Sequence, residues 1–259
     1  GMENGAPIQK SLPLLRVFHR LGVRYIPLTH NADNEIADSA AQGQRWHGLS
    51  PFGREVVAEM NRLGMIIDVA HASDETFYDV LEYSRAPIVS THSCCRALAH
   101  HRRNMSDEML RALADKGGVI QINFYPVFLS DAFAKTLADS GLESKSWTEQ
   151  DWINDPLNPE KAAAWNAVLD EFAALPRPSY KDVVDHIDHA VKVAGIDSVG
   201  IGTDFDGIEV TPAGLENISK IGVIFDEMSS RGYTDDQIEK VAGKNFLRVF
   251  NDVTSLTAK

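Results

Sequence analysis

No apolar run in this 259-residue chain approaches the roughly 18 to 20 residues that a membrane-spanning helix needs, so nothing in it calls for a bilayer. The first residues also lack the basic-then-apolar layout of a secretory signal. The expected product is soluble, with its compartment left open between cytoplasm and periplasm. Cysteine is nearly missing: Cys94 and Cys95 are the only two, and neighbours in sequence cannot staple distant parts of a fold. Positive charge is in short supply, with 25 Lys and Arg against 37 Asp and Glu, a net charge of −12. That balance argues against nucleic acid or an anionic membrane and leaves a small molecule as the expected partner. There is no internal repeat and no low-complexity tract.

What the chain does contain is a repeated placement. Four short apolar runs stop at a side chain able to bind a metal: Tyr25 to His30, Met65 to His71, Pro87 to His92 and Val199 to Asp204. Runs of this length read as buried parallel strands, and in an α/β barrel the C-terminal strand ends gather on one face where catalytic side chains collect. One histidine at a strand end is as well explained by a bond to a backbone carbonyl. Four such placements point to one shared mouth.

Helical stretches alternate with these strands. Residues 11–21, 51–64, 73–84, 106–117, 182–194 and 234–250 carry apolar residues at helical spacing, several opened by Ser or Pro and closed by Gly. A fifth strand is expected at 118–125. The interval 128–180, with three of the four tryptophans and a helical run at 159–175, breaks the rhythm and reads as a helical insertion serving as plain surface, lid or dimer contact. Five clear strands, six with a strand end at Met2-Glu3, fall short of the eight that close a barrel. The expectation is therefore the C-terminal two-thirds of a single barrel domain spanning 1–259, with about 100 or more residues ahead of it; the alternative is an open sheet.

Several segments together carry a family likeness: LGVRYIPLTH at 21–30, GLSPFGREVV at 48–57, IIDVAHAS at 66–73, STHS at 90–93, RRN at 102–104, INFY at 122–125, GTDFDG at 202–207 and NFLRVF at 245–250. In this order they closely resemble the renal (membrane) dipeptidase family, over almost the whole chain outside the insertion. The resemblance implies a TIM (β/α)8 barrel of the amidohydrolase type and hydrolysis of dipeptides by a metal-bound hydroxide between two zinc ions. By the same likeness Glu3 is the bridging carboxylate, His71 and His92 are metal ligands, His30, Arg103, Asn104 and Tyr125 contact substrate, and His30 and Asp204 are catalytic. The family's His-x-Asp pair for the other zinc does not occur ahead of Glu3.

These residue types suit that chemistry on their own terms. Imidazole and carboxylate are the ligands of catalytic zinc, and two ions sharing one carboxylate can hold a hydroxide nucleophilic near neutral pH. An aspartate beside it can move a proton to the leaving amine, and a histidine off the metal can donate to an oxyanion. The basic cluster Arg96, His100, His101, Arg102 and Arg103 stands out in an acidic chain, and a guanidinium there could clamp the free carboxylate of a dipeptide; a solvated loop is its plain alternative. Asp185-His186-Ile187-Asp188-His189 resembles a metal pattern but is expected to be an exposed helix face, and the vicinal cysteines are expected to be small buried wall residues. Two other functions stay open: an amidohydrolase acting on cyclic amides or lactones, and a metal-poor, non-catalytic homologue. A homodimer stays open as well.

Overall fold

The computed structural model describes residues 1–41, 44–145 and 147–256. Five parallel strands form one sheet: β1 (Tyr25–Pro27), β2 (Ile66–Asp68), β3 (Val89–Ser93), β4 (Val119–Asn123) and β5 (Val199–Gly202). Their spatial order is β1-β2-β3-β4-β5, the order of the chain itself. A doubly wound sheet reverses direction at a switch point; a sheet laid down in sequence is the arrangement of consecutive strands in a (β/α) barrel. Among the described residues no strand joins β1 to β5, so the sheet has two edges. All five strands lie where the apolar runs place them; β1, β2, β4 and β5 stop before the runs do, while β3 continues through His92 to Ser93.

The helices follow the same punctuation. They are α1 (Leu12–Arg20), α2 (Pro51–Leu63), α3 (Asp74–Tyr83) and α4 (Asp107–Asp115) around the first strands. Ser50, Ser73 and Ser106 accept from the backbone N–H three residues on, which satisfies an otherwise orphaned donor at each helix start. At the other end of α2, Gly64 adopts φ 66°, a left-handed turn that a side chain resists, and sends the chain straight into β2. Between β4 and β5 come α5 (Pro126–Leu129), α6 (Asp131–Ser140), α7 (Trp147–Asn154), α8 (Pro159–Ala174) and α9 (Tyr180–Ala194). Phe133, Leu137, Trp165 and Phe172 from these helices pack together with Val210 in a second small core. After β5 follow α10 (Gly222–Ser230), α11 (Asp235–Glu239) and α12 (Asn245–Ser255).

Three expectations need correction. Residues 234–250 are not one helix: a π-turn over Lys240–Lys244, with Gly243 outside helical geometry, separates α11 from α12. α10 was not anticipated, because residues 222–230 show little polar face for a periodicity argument to find. Met2-Glu3 is not a strand end. The Met2 N–H donates to the Tyr25 carbonyl at 3.1 Å and the Gly5 N–H to the Leu28 carbonyl at 3.3 Å, but Asn4, at φ 75°, turns the chain out of register before a ladder forms. The N-terminal segment is thus tied beside β1 without joining the sheet.

Candidate active site

Each strand delivers one chemical group to the mouth, and the backbone bends to do so. His71 follows β2 with φ 69° and Asp204 follows β5 with φ 59°, left-handed conformations uncommon for residues other than glycine. Such outliers concentrate at functional sites, where surrounding packing holds them. His92 lies within β3, and His30 three residues beyond β1, its carbonyl accepting from the Ser39 hydroxyl. The rings of His30 and His71 have centroids 4.5 Å apart, those of His71 and His92 4.9 Å.

Glu3 reaches into this group from the N-terminal segment. Its Oε1 is 3.3 Å from His71 Nε2 and 3.4 Å from His92 Nε2. Ligand atoms of Glu3, His71 and His92 lie within 4.8 Å of one another, the one such group of three or more among the described residues. Burial pushes the His71 imidazole down to about 4 and the His92 imidazole to about 3, so both are neutral at pH 7. The hydrogen bond from His71, against the opposing effect of burial, holds Glu3 down at about 2. These contacts are therefore not ion pairs: a carboxylate faces two neutral imidazoles, the protonation state in which both residue types bind metals. The Nε2 atom of His92 is buried without a hydrogen-bond partner although it points at Glu3. A donor set of this chemistry fits a divalent cation.

In the metal-free protein this cluster sets a pH dependence. Histidines whose folded pKa lies below the unfolded value of about 6.5 stabilise the fold fully above that value and lose the contribution as pH falls through about 4 and 3. Glu3, depressed from 4.5, acts in the same direction lower down. The melting temperature of the metal-free protein should thus fall from pH 7 to pH 5, and His71→Gln should flatten that slope. An unchanged slope in the variant would count against the neutral pair.

The group opens on a cavity of about 640 Å³, within the usual range for small-molecule sites. Glu3, His30, His71, Arg103, Tyr125 and Asp204 all line it. Arg103 is only 8% exposed, burial pulls its guanidinium down to about 10, and its Nε has no partner. A buried cation with an unused donor is expensive unless something anionic meets it. Asp204 accepts from the Asn123 amide at 3.0 Å, and burial raises its carboxyl above the ordinary range. Burial, together with the neighbouring Glu209 carboxylate, raises the Tyr125 phenol, and the Tyr125 ring stacks edge-on against Phe128 at 5.1 Å.

Asn104 does not reach the cavity. Its side-chain oxygen accepts from the Cys94 N–H, and its amide donates to the carbonyls of Ala99 and Phe128 at 2.9 and 2.8 Å, which leaves no donor for a substrate. The basic cluster divides its partners: Arg96 makes a bidentate pair with Asp74, and His100 pairs with Asp131 at 2.7 Å. His101 and Arg102 line the cavity at its rim. On α9, His186 is buried rather than exposed, because its Nδ1 accepts from the Cys95 N–H; His189 pairs with Asp107, and Arg231 engages Asp185 and Asp188. Both cysteines are free and buried. Sequence reasoning assigned no role to Asn123 and Glu209, nor to Asp68 and Thr91 behind His92; Asp68, Thr91 and Asn123 fall within the IIDVAHAS, STHS and INFY stretches, while Glu209 carried no signal.

The family model described as membrane dipeptidase (peptidase family M19) matches residues 1–259. An uncharacterised dipeptidase of Schizosaccharomyces pombe is 37% identical over 254 residues, covering 96% of this chain and 51% of the relative. Dipeptidase tcpJ of Claviceps purpurea is 36% identical over 259 residues, 100% of this chain and 51% of its own. The chain spans about half the length of these curated relatives. Among solved structures, the probable dipeptidase PvdM of Pseudomonas aeruginosa superposes with a TM-score of 0.83 at 33% identity, over 99% of this chain and 69% of that one.

Proposed function

The chain belongs to the membrane dipeptidase family, and from that premise and the geometry of the mouth we propose that it hydrolyses the peptide bond of dipeptides with a divalent metal, zinc, held by Glu3, His71 and His92. The observation that carries this reading is the pairing of a metal-competent cluster with a buried guanidinium that keeps an unused donor in one cavity. A divalent ion supplies water acidified enough to attack an amide near neutral pH. Zinc suits two imidazoles and a carboxylate; the two ions of the family's intact site would need further ligands beyond these three. We read the sheet as consecutive strands of a (β/α)8 barrel with residues 128–180 inserted in it.

The chain's own residues then have separable tasks. Arg103 receives the substrate's free carboxylate in a fork of charge-assisted bonds, which selects a dipeptide over a longer chain or an uncharged cyclic amide or lactone. His30, off the metal, donates to the oxygen that becomes negative as the carbonyl is attacked. Asp204 takes the proton of the attacking water and passes it to the leaving amine, and the Asn123 amide fixes the carboxylate while it does so. Tyr125 forms the wall against which the substrate lies, the role left to it once its phenol is engaged by Glu209.

The test is metal content together with a substrate panel. Wild-type protein should retain zinc through dialysis, while Glu3→Gln, His71→Gln and His92→Gln should each lose it. The panel of dipeptides, C-terminal amides, cyclic amides and lactones should show turnover confined to free-acid dipeptides. Zinc retained by all three variants, or faster turnover of lactones, would overturn the reading.

A further inference from the structure

His92 is held from behind by a chain of buried groups. Its Nδ1 is 2.9 Å from the Thr91 hydroxyl, and the same hydroxyl donates to Asp68 Oδ2 at 2.5 Å. The other oxygen of Asp68 accepts from the backbone N–H of Ala70 at 2.9 Å and of Thr91 at 3.1 Å. Asp68 ends β2, is fully buried, and among the described residues forms no ion pair. From these contacts we propose that Asp68 and Thr91 are positioning residues that fix the tautomer of His92, with the proton on Nδ1 and a bare Nε2 facing Glu3.

The direction of each bond follows from counting protons. A carboxylate can only accept, so the single hydroxyl hydrogen of Thr91 is committed to Asp68. What Thr91 then offers His92 is a lone pair, and a lone pair is satisfied only by Nδ1–H. A neutral imidazole carries one ring proton, so Nε2 is left unprotonated. That agrees with the absence of a hydrogen bond from His92 Nε2 to the carboxylate 3.4 Å away. Replacing Asp68 by Asn reverses the chain. Oδ1 must stay an oxygen because it accepts two backbone N–H groups, so the new NH2 stands opposite Thr91 and donates to its oxygen. The Thr91 hydrogen turns to His92 Nδ1, and the ring proton moves to Nε2, where it bonds to Glu3 and blocks a metal. A partner behind a metal-binding imidazole commonly fixes its tautomer; here the carboxylate acts through a hydroxyl on the neighbouring strand.

This inference rests on reading His92 as a ligand, and the experiment separates the two. In metal-free, 15N-labelled protein, long-range proton–nitrogen correlation reads which ring nitrogen of His92 is protonated, with His92→Gln assigning the signals. Wild type and Thr91→Ser should carry the proton on Nδ1, and Asp68→Asn on Nε2. Zn2+ affinity, measured by competition with a chromophoric chelator, should fall roughly 10- to 100-fold in Asp68→Asn and in the isosteric Thr91→Val. Thr91→Ser, which restores the hydroxyl, should bind like wild type. Should Asp68→Asn not fold, the Thr91→Val and Thr91→Ser pair decides. A wild-type His92 protonated on Nε2, or Thr91→Val binding Zn2+ as tightly as wild type, overturns the proposal. His92→Gln with undiminished Zn2+ affinity overturns the ligand reading instead and leaves the tautomer result standing.

Discussion

Asp204→Asn should lower kcat by roughly 10²- to 10⁴-fold, the usual worth of a positioned general acid–base, while zinc content and KM change little. The substitution preserves shape, and the position tolerates it: φ 59° suits Asn as well as Asp, and Asn123 can still donate to the remaining oxygen. What is lost is a carboxylate whose burial raises its affinity for a proton, which is what a base needs in order to take one from water. Two other outcomes are well separated from this one. An Asp204 that only shapes the turn, where its carbonyl accepts from the Gly207 N–H at 3.0 Å, would give near-normal kcat and a loss of about 1 kcal/mol in stability. An Asp204 that binds the metal directly would lose zinc and activity together. Measuring kcat, KM, zinc and melting temperature on the one variant assigns the residue.

The second large effect belongs to Arg103. Removing a charge-assisted bidentate contact is worth about 1.5 to 3 kcal/mol, or roughly a 10- to 150-fold rise in KM for free-acid dipeptides. Arg103→Lys should recover little of it, because a point charge on a flexible stem does not match the carboxylate fork. Little specific bonding is lost in either variant: among the described residues the side chain makes one hydrogen bond, to the His92 carbonyl, long at 3.4 Å, and it lies over the Phe128 ring at 5.3 Å. The diagnostic is selectivity. Wild type should discriminate strongly against C-terminally amidated dipeptides and Arg103→Ala should not; equal losses on free-acid and amidated substrates would refute a carboxylate-reading role.

The parts of this site that sequence could reveal are those announced locally. His30, His71, His92 and Asp204 each end an apolar run, so strand periodicity alone assembles them at one mouth. Ser50, Ser73 and Ser106 begin helices for equally local reasons. The remainder depends on contacts between distant segments. Asn123 and Asp204 meet across 81 residues, and Asp68 and Thr91 across 23, with nothing around either pair to suggest the partner. Asn104 misleads for the converse reason: it adjoins Arg103 in sequence, yet the turn that buries Arg103 in the cavity aims Asn104 at the backbone of 94, 99 and 128. His186 looks like a surface residue on an amphipathic helix until Cys95 is known to cover it.

The left-handed backbone at His71 and Asp204 sets the stability of the fold against the side chains it presents at the mouth. A non-glycine residue held there carries roughly 1 to 3 kcal/mol of strain, which glycine would relieve. Glycine at either position would relax the backbone and remove from the mouth the side chain that stands there. The margin for further destabilising change elsewhere in the fold is narrower by the strain those two residues hold.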